Sequence, residues 1–244
     1  MKLLSQVNVK LQKNEKVGYL TTGLSLAPTN ISGYNVCPMA SKGCRDACLN
    51  LAGMGVFKNV QAARIAKTKM FFEKRDEFMA MLVKEIASFV RKAGRKGLEA
   101  AIRLNVFSDV VWEDILVGDT NKNIFETFPE VTFYDYTKIA DRMFKTLPAN
   151  YSLTFSKSEL KKSWETCVKV LKSGGNVAAV FSGSFLPNRY MGFKVVDGDK
   201  SDARFLDDGK GVIFGLKPKG GNAKRDNSGF VIPTNGQLEF EFAS

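Results

Sequence analysis

Three of the chain's four cysteines fall inside one short stretch, CPMASKGCRDAC, at Cys37, Cys44 and Cys48, while Cys167 lies far downstream. Pro38 and Gly43 bend this stretch into a loop. A compact loop with three thiols can hold three corners of an iron–sulfur cluster, leaving the fourth to Cys167 or open for a small molecule. Zinc is a rival. A structural zinc site takes four ligands, commonly cysteine pairs two to four residues apart, and the Cys-x6-Cys-x3-Cys spacing fits that poorly. A disulfide and a set of plain structural thiols remain the other readings; a chain read as cytosolic disfavours the disulfide. Cys167 sits at helical spacing between Trp164 and Leu171, which suits a core position.

Histidine is absent from all 244 residues. That removes Ser-His-Asp and Cys-His nucleophilic catalysis, and every metal site that needs imidazole. Proton transfer near neutral pH falls to Asp, Glu, Lys, Tyr, Cys or water. Lys and Arg number 36 against 25 Asp and Glu, a net charge of +11. This balance points to an anionic partner such as a nucleotide or nucleic acid, or else to a generally basic surface.

The elements that must position the cysteines follow from periodicity. Strands are expected over 17–28, 98–109, 130–138, 150–158 and 176–184. Helices are expected within 56–97, near both ends of 111–129, and over 139–148 and 159–175. In the long helical stretch, Phe78, Met81, Leu82, Ile86, Phe89 and Val90 recur at three- and four-residue spacing. Alternating strands and helices predict an α/β fold built on parallel units, here a (β/α) partial barrel of about residues 17–185. The Gly-, Asp- and Lys-rich stretch from about 190 to 244 is expected to pack on it as an extension, closing the barrel or capping its mouth. The whole chain reads as one domain. No apolar run is long enough for a membrane span, and the N-terminus lacks the apolar stretch of a signal peptide, so a cytoplasmic protein is expected.

Ligands of parallel α/β folds gather at the carboxyl ends of the strands. Those ends carry Asn105, Ser108 and Asp109, then Tyr136 and Lys138, then Ser156 and Ser182. Asp109, Tyr136 and Lys138 are the candidate catalytic groups; Asn105, Ser108, Ser156 and Ser182 are candidates for cofactor binding. Plainer roles are open: Asp109 and Glu113 as an acidic pair at a helix start, and FYDYTK as a buried polar network. In GLKPKGGNAKR, Lys217, Lys219, Lys224 and Arg225 stand among glycines and suit phosphate contacts, or form a mobile basic loop. The P-loop pattern is absent. Basic clusters at Arg64, Lys67, Lys69, Lys74 and Arg75, and at Arg91 to Lys96, read as solvated helix faces. GDKSDARFLDD lacks calcium-loop spacing and reads as a turn with an internal pair to Lys200 or Arg204.

These motifs carry two resemblances. A three-cysteine loop after the first strand of a parallel barrel resembles the radical S-adenosylmethionine enzymes. The superfamily's Cys-x3-Cys-x2-Cys is replaced here by Cys-x6-Cys-x3-Cys, and NVFSD stands where its GGE motif falls. The resemblance implies a [4Fe–4S] cluster on Cys37, Cys44 and Cys48, and S-adenosylmethionine as a possible ligand of the open iron. The succession CPMASKGCRDAC, RLNVFSD and FYDYTK is more similar to an uncharacterised phage family, the gene product 88 type, over about residues 20–160. That likeness implies phage origin, and so the host cytoplasm, and supplies no reaction. The expected protein is an iron–sulfur enzyme acting on a small anionic or nucleotide substrate; the alternative is a nucleic-acid-binding phage protein with a structural metal.

Overall fold

A computed structural model describes residues 1–5, 14–201, 203–206 and 209–234. The strands are β1 (Leu4–Ser5), β2 (Tyr19–Leu24), β3 (Glu99–Arg103), β4 (Thr132–Thr137), β5 (Tyr151–Ser156), β6 (Val177–Phe181), β7 (Arg189–Tyr190), β8 (Phe193–Asp197), β9 (Ile213–Leu216) and β10 (Val231–Ile232). They form one ten-stranded sheet in the order β1-β2-β3-β4-β5-β6-β9-β8-β7, with β10 paired to β6. Among the described strands, only the edge pairs β1–β2 and β7–β8 are antiparallel. The fold is therefore mixed α/β with a mostly parallel sheet; β2 to β6 lie inside the strand windows the sequence predicts, whereas β1 and β7 to β10 lie outside them. The sheet is open, because no pairing among the described residues joins β1 to β7. Of the two roles expected for the tail, closing the barrel is therefore not met. The tail supplies β8 and β9, which widen the sheet and do not close it.

Parallel neighbours in sequence order need crossovers of one hand, and these put the helices on one face. The register defines that face. Leu20, Ala100, Ile102, Phe133, Tyr151, Phe155, Val177, Ile213 and Val195 all point the same way. The helices α2 (Lys58–Glu73) and α3 (Arg75–Arg95) bury Phe71, Phe78, Leu82, Ile86 and Phe89 against its first half. The helix α5 (Lys161–Lys172) buries Cys167, Val170 and Leu171 against its second half. Each buried side chain of this size contributes ~1.5–3 kcal/mol, so this face supplies most of the driving force.

The opposite face is smaller and more polar: Tyr19, Ala101, Arg103, Tyr134, Tyr136, Ala178, Val180, Phe214 and Leu216. Part of it is covered by the 3-10 turn Arg204–Leu206 from the C-terminal region. Phe205 packs edge-on to Tyr19 at 4.8 Å and against Tyr134 at 5.3 Å. The Arg204 side chain lies over the Phe214 ring at 4.6 Å and donates to the Tyr136 hydroxyl at 2.9 Å and to the Gly198 carbonyl. These contacts tie the aspartate-rich segment to the sheet; Asp202, Asp207 and Asp208, acids of the expected internal pair, lie outside the described residues.

At its carboxyl end β6 changes partner. Val177 and Ala178 pair with β5, whereas Val180 and Phe181 pair with β10. Because β9 occupies the other edge of β6, β10 must lie on the β5 side. The strands therefore splay where the cavity opens. No described helix is long and apolar enough to cross a membrane.

Candidate functional site

The splayed strand ends and the cysteine loop enclose a cavity of about 260 Å³. Its floor is the polar sheet face: Arg103, Tyr136, Ser156, Ala178, Val180 and Leu216. Its roof is Cys37, Cys44, Cys48, Arg45 and Leu49. Asn105, Ser108, Asp109 and Lys138 line one side, and Lys217, Lys219 and Phe230 another. One wall thus gathers the three clustered cysteines, six of the seven residues expected around the reaction, and two of the four expected phosphate contacts. Ser182 is not on this wall; its N–H donates to the Ile232 carbonyl at 2.9 Å and holds β10 in place. Lys224 is exposed at the end of the helix α6 (Gly220–Lys224), and Arg225 lines an outer cleft with Lys42 and Arg45.

The roof is held from three directions. The helix α1 (Lys42–Asp46), which carries Cys44, starts at Ser41, whose hydroxyl accepts from the Cys44 N–H at 3.3 Å. Glu159, from the β5–α5 connection, then accepts the Ser41 hydroxyl at 2.6 Å and the Gly43 N–H at 2.8 Å. Burial opposes the Glu159 charge, but these bonds hold its carboxyl below the usual range. Gly43 is pressed between Glu159, Ser228 and Phe230, so a Cβ there would collide with all three. Below Cys48, Arg64 of α2 donates to the Asn50 side chain and stacks on Phe107 at 4.1 Å. Arg64 and Lys67 are buried, the latter donating to the Leu3 carbonyl at 2.7 Å. The solvated face expected for these two basic residues is instead buried, Arg64 beneath the segment after Cys48 and Lys67 against the N-terminal residues.

The thiols are free. Burial pushes Cys37 up to about 12 and raises Cys44 and Cys48. The Cys37 thiol donates to the Phe107 carbonyl at 3.4 Å. Among the described residues, no group of three Cys, Asp or Glu side chains meets the spacing for one metal ion. Cys167 does not line the cavity; it is fully buried among Phe155, Val170, Leu171 and Val177, with its thiol raised to about 11 by burial.

The polar side wall is a rigid network. Asp109 accepts from the Thr137 hydroxyl at 2.8 Å, the Lys138 N–H at 2.7 Å and Arg142 at 3.0 Å. Burial nevertheless raises its pKa. Arg142 is 1% exposed and also holds both oxygens of Glu113 at 2.8 Å and the Tyr151 hydroxyl at 2.7 Å. Tyr151 donates to Asp135 at 3.2 Å, and Asp135 accepts the Asn105 N–H at 2.7 Å. Burial pushes Asp135 up to about 7, against Arg103 and the Asn105 N–H. The Asn105 carbonyl oxygen then accepts from Ser108, the Val110 N–H and Trp112 at 2.8, 2.9 and 3.2 Å. Lys138 donates to the Ser156 hydroxyl at 2.8 Å and to the carbonyls of Ser156 and Lys157, both at 3.1 Å. Asp109 and Asn105 therefore hold the wall in shape, while Arg103, Lys138 and Lys157 give it charge.

Sequence reasoning missed Arg142, Glu159 and Phe230, and read Arg64 as part of a solvated helix face. Arg142 falls in a short stretch read only as a helix, Phe230 lies in the tail without periodicity, and Glu159 reads as an ordinary helix-start acid. Only Gly43, a small residue between two cysteines, signals a close approach.

Comparison with known proteins is one-sided. No curated protein and no solved structure matches the chain, so nothing beyond the sequence motifs supports the likeness to radical S-adenosylmethionine enzymes. The family profile described as Gene product 88 matches residues 2–234, nearly the whole chain. The chain belongs to the gene product 88 family of phage proteins.

Proposed function

We propose that this phage protein is an enzyme whose Cys37, Cys44 and Cys48 hold an iron–sulfur cluster, of the [4Fe–4S] type, above the substrate cavity. One observation carries the reading: three cysteines, and not the fourth, line a single cavity at the carboxyl ends of parallel strands. The donor set supports a cluster over zinc. Thiolates on one zinc ion sit about 2.3 Å from it and crowd together. A cluster takes one thiolate per iron and so accepts thiols set farther apart than a single zinc ion does. The succession β2 to β6 in order along the sheet is compatible with a partial barrel of the kind cluster enzymes use.

When bound, such a cluster supplies an electron or an open Lewis-acid iron. The chain's own part is to hold thiolates that burial alone would keep protonated, and to draw an anion toward them. Arg103, Lys138 and Lys157 do the latter from the floor and side. Asp109 fixes the Lys138 backbone, and Tyr136 is steadied by Arg204 beneath and Arg103 on its ring at 4.6 Å. S-adenosylmethionine belongs among the first ligands to titrate.

The test is anaerobic purification with iron, sulfide and zinc analysis and an absorption spectrum. Broad absorbance near ~400 nm with about four irons and four sulfides per chain supports the reading. A colourless protein with one zinc per chain overturns it. Binding to nucleic acid that weakens steeply with salt, with metal loss unfolding the cysteine loop, would then favour a binding protein with a structural metal.

A further inference from the structure

We propose that the cavity under the cysteine loop receives an anion with a flat aromatic body, the chemistry shared by a nucleoside monophosphate and an aryl carboxylate. The inference rests on the reading that this cavity is the substrate site, and it names the class of substrate.

Charge is the first observation. Six cationic side chains reach the wall, Arg45, Arg103, Lys138, Lys157, Lys217 and Lys219, and Asp109 is the one carboxylate lining it; behind the wall Asp135 pairs with Arg103 at 3.8 Å and Asp199 with Lys219 at 3.1 Å, which still leaves cations in excess. Asp109 is itself taken by Arg142, Thr137 and the Lys138 N–H, so it offsets little of the excess. A concave wall of one sign concentrates ligands of the other.

The aromatic rings are the second. Phe107, Tyr136 and Phe230 line the cavity, and each carries a cation: Arg64 at 4.1 Å, Arg103 at 4.6 Å and Lys138 at 5.2 Å. All three rings are only partly buried. A planar ligand that stacks on one of them brings its anionic group beside a cation.

The third observation counts against a neutral polyol. The carbonyl oxygen of Asn105 is spent on Ser108, Val110 and Trp112, and its amide on Val110 and Asp135. The Lys138 ammonium has three acceptors within the protein. The wall offers charge and ring faces more than hydrogen-bonding groups for sugar hydroxyls. Its size, about 260 Å³, lies just under the ~300–1,000 Å³ usual for ligand sites, which suits one ring system and one anionic group.

Equilibrium dialysis tests the inference. AMP, CMP and benzoate are compared with adenosine, cytidine and inorganic phosphate, on anaerobically purified protein of measured iron content and on the apoprotein. The expected result is that an aromatic anion binds at least ~10-fold tighter than the nucleosides or phosphate. The ratio of nucleotide to benzoate affinity then tells which source the site prefers. Phe230→Leu keeps the bulk and removes the ring, and should weaken binding roughly 10-fold. Lys219→Gln, at a half-exposed position, should leave the melting curve unchanged and weaken binding with a shallower salt dependence. Phosphate or nucleoside binding as tightly as any aromatic anion overturns the inference, as does unchanged affinity in both variants. The cluster reading fails separately: aromatic-anion binding to a protein that never holds iron keeps this inference and sinks that one, and a loaded cluster with no such binding does the reverse.

Discussion

Replacing Arg142 by Met should be among the most destabilising single changes in this protein. Arg142 is 1% exposed and faces two carboxylates whose side chains are only 11% and 13% exposed. It makes two 2.8 Å bonds to Glu113, one of 3.0 Å to Asp109 and one of 2.7 Å to Tyr151. Removing one member of a buried ion network leaves the others charged and unpaired, which costs ~3–5 kcal/mol. For a chain of this length that is a fall in melting temperature on the order of 10 °C. The pH dependence has a definite sign. Burial already raises the Asp109 carboxyl above its ordinary value, and Arg142 pulls it down. Without Arg142 it rises further, so the native state holds a proton that the unfolded chain has released. Stability then falls as pH rises through that window, and the deficit should be larger at pH 8 than at pH 5. Urea unfolding of the wild type, Arg142→Met and the double variant Arg142→Met/Glu113→Gln measures this. The double variant should recover part of the loss, because it removes one stranded charge. A loss below about 1 kcal/mol at pH 7, or a deficit that shrinks as pH rises, would refute the reasoning.

Three further outcomes are expected. Asp135 is held up to about 7 by burial, above its unfolded value, so its contribution to stability is full below about pH 4 and is lost as pH rises through 7. Asp135→Asn should flatten that part of the stability profile, worth up to ~4 kcal/mol, and an unchanged slope in urea unfolding would count against it. Glu159→Ala removes two hydrogen bonds to a carboxylate from the α1 start, a loss of ~2 kcal/mol, and should speed amide exchange across residues 42–48; unaltered exchange there would show the roof is held some other way. Cys167→Ala should leave iron and sulfide content unchanged and cost ~1–2 kcal/mol of packing, whereas loss of the cluster would make Cys167 a ligand.

What could be read from the sequence was whatever local periodicity encodes. The apolar spacing of α3, the alternation in β3 to β6 and the glycine after α5 place those elements, and strand-end position alone brings Asn105, Asp109, Tyr136 and Lys138 to one wall. Long-range contacts are not written locally. Glu159 reaches Ser41 across the top of the sheet, Arg204 reaches Tyr136 from the tail, and Arg64 turns inward on a helix whose composition looks solvated. The open edge was illegible for the same reason, because closure depends on whether β1 meets the last strands and no residue type reports that. Ser182 was misassigned because a serine at a strand end reads the same whether it faces a ligand or ties down a neighbouring strand.

The β10 insertion has a consequence for the order of events on the ribosome. The cysteine loop is made early, but Gly43 packs against Ser228 and Phe230, and the wall between β5 and β6 is filled by Val231 and Ile232. Through most of synthesis the three thiols therefore hang on an unfinished scaffold, exposed to metals and oxidants. The enclosure appears only once β10 emerges. Any cofactor that needs the closed chamber is consequently installed after β10 has been made, and a protein truncated before Phe230 would present the cysteines without a site.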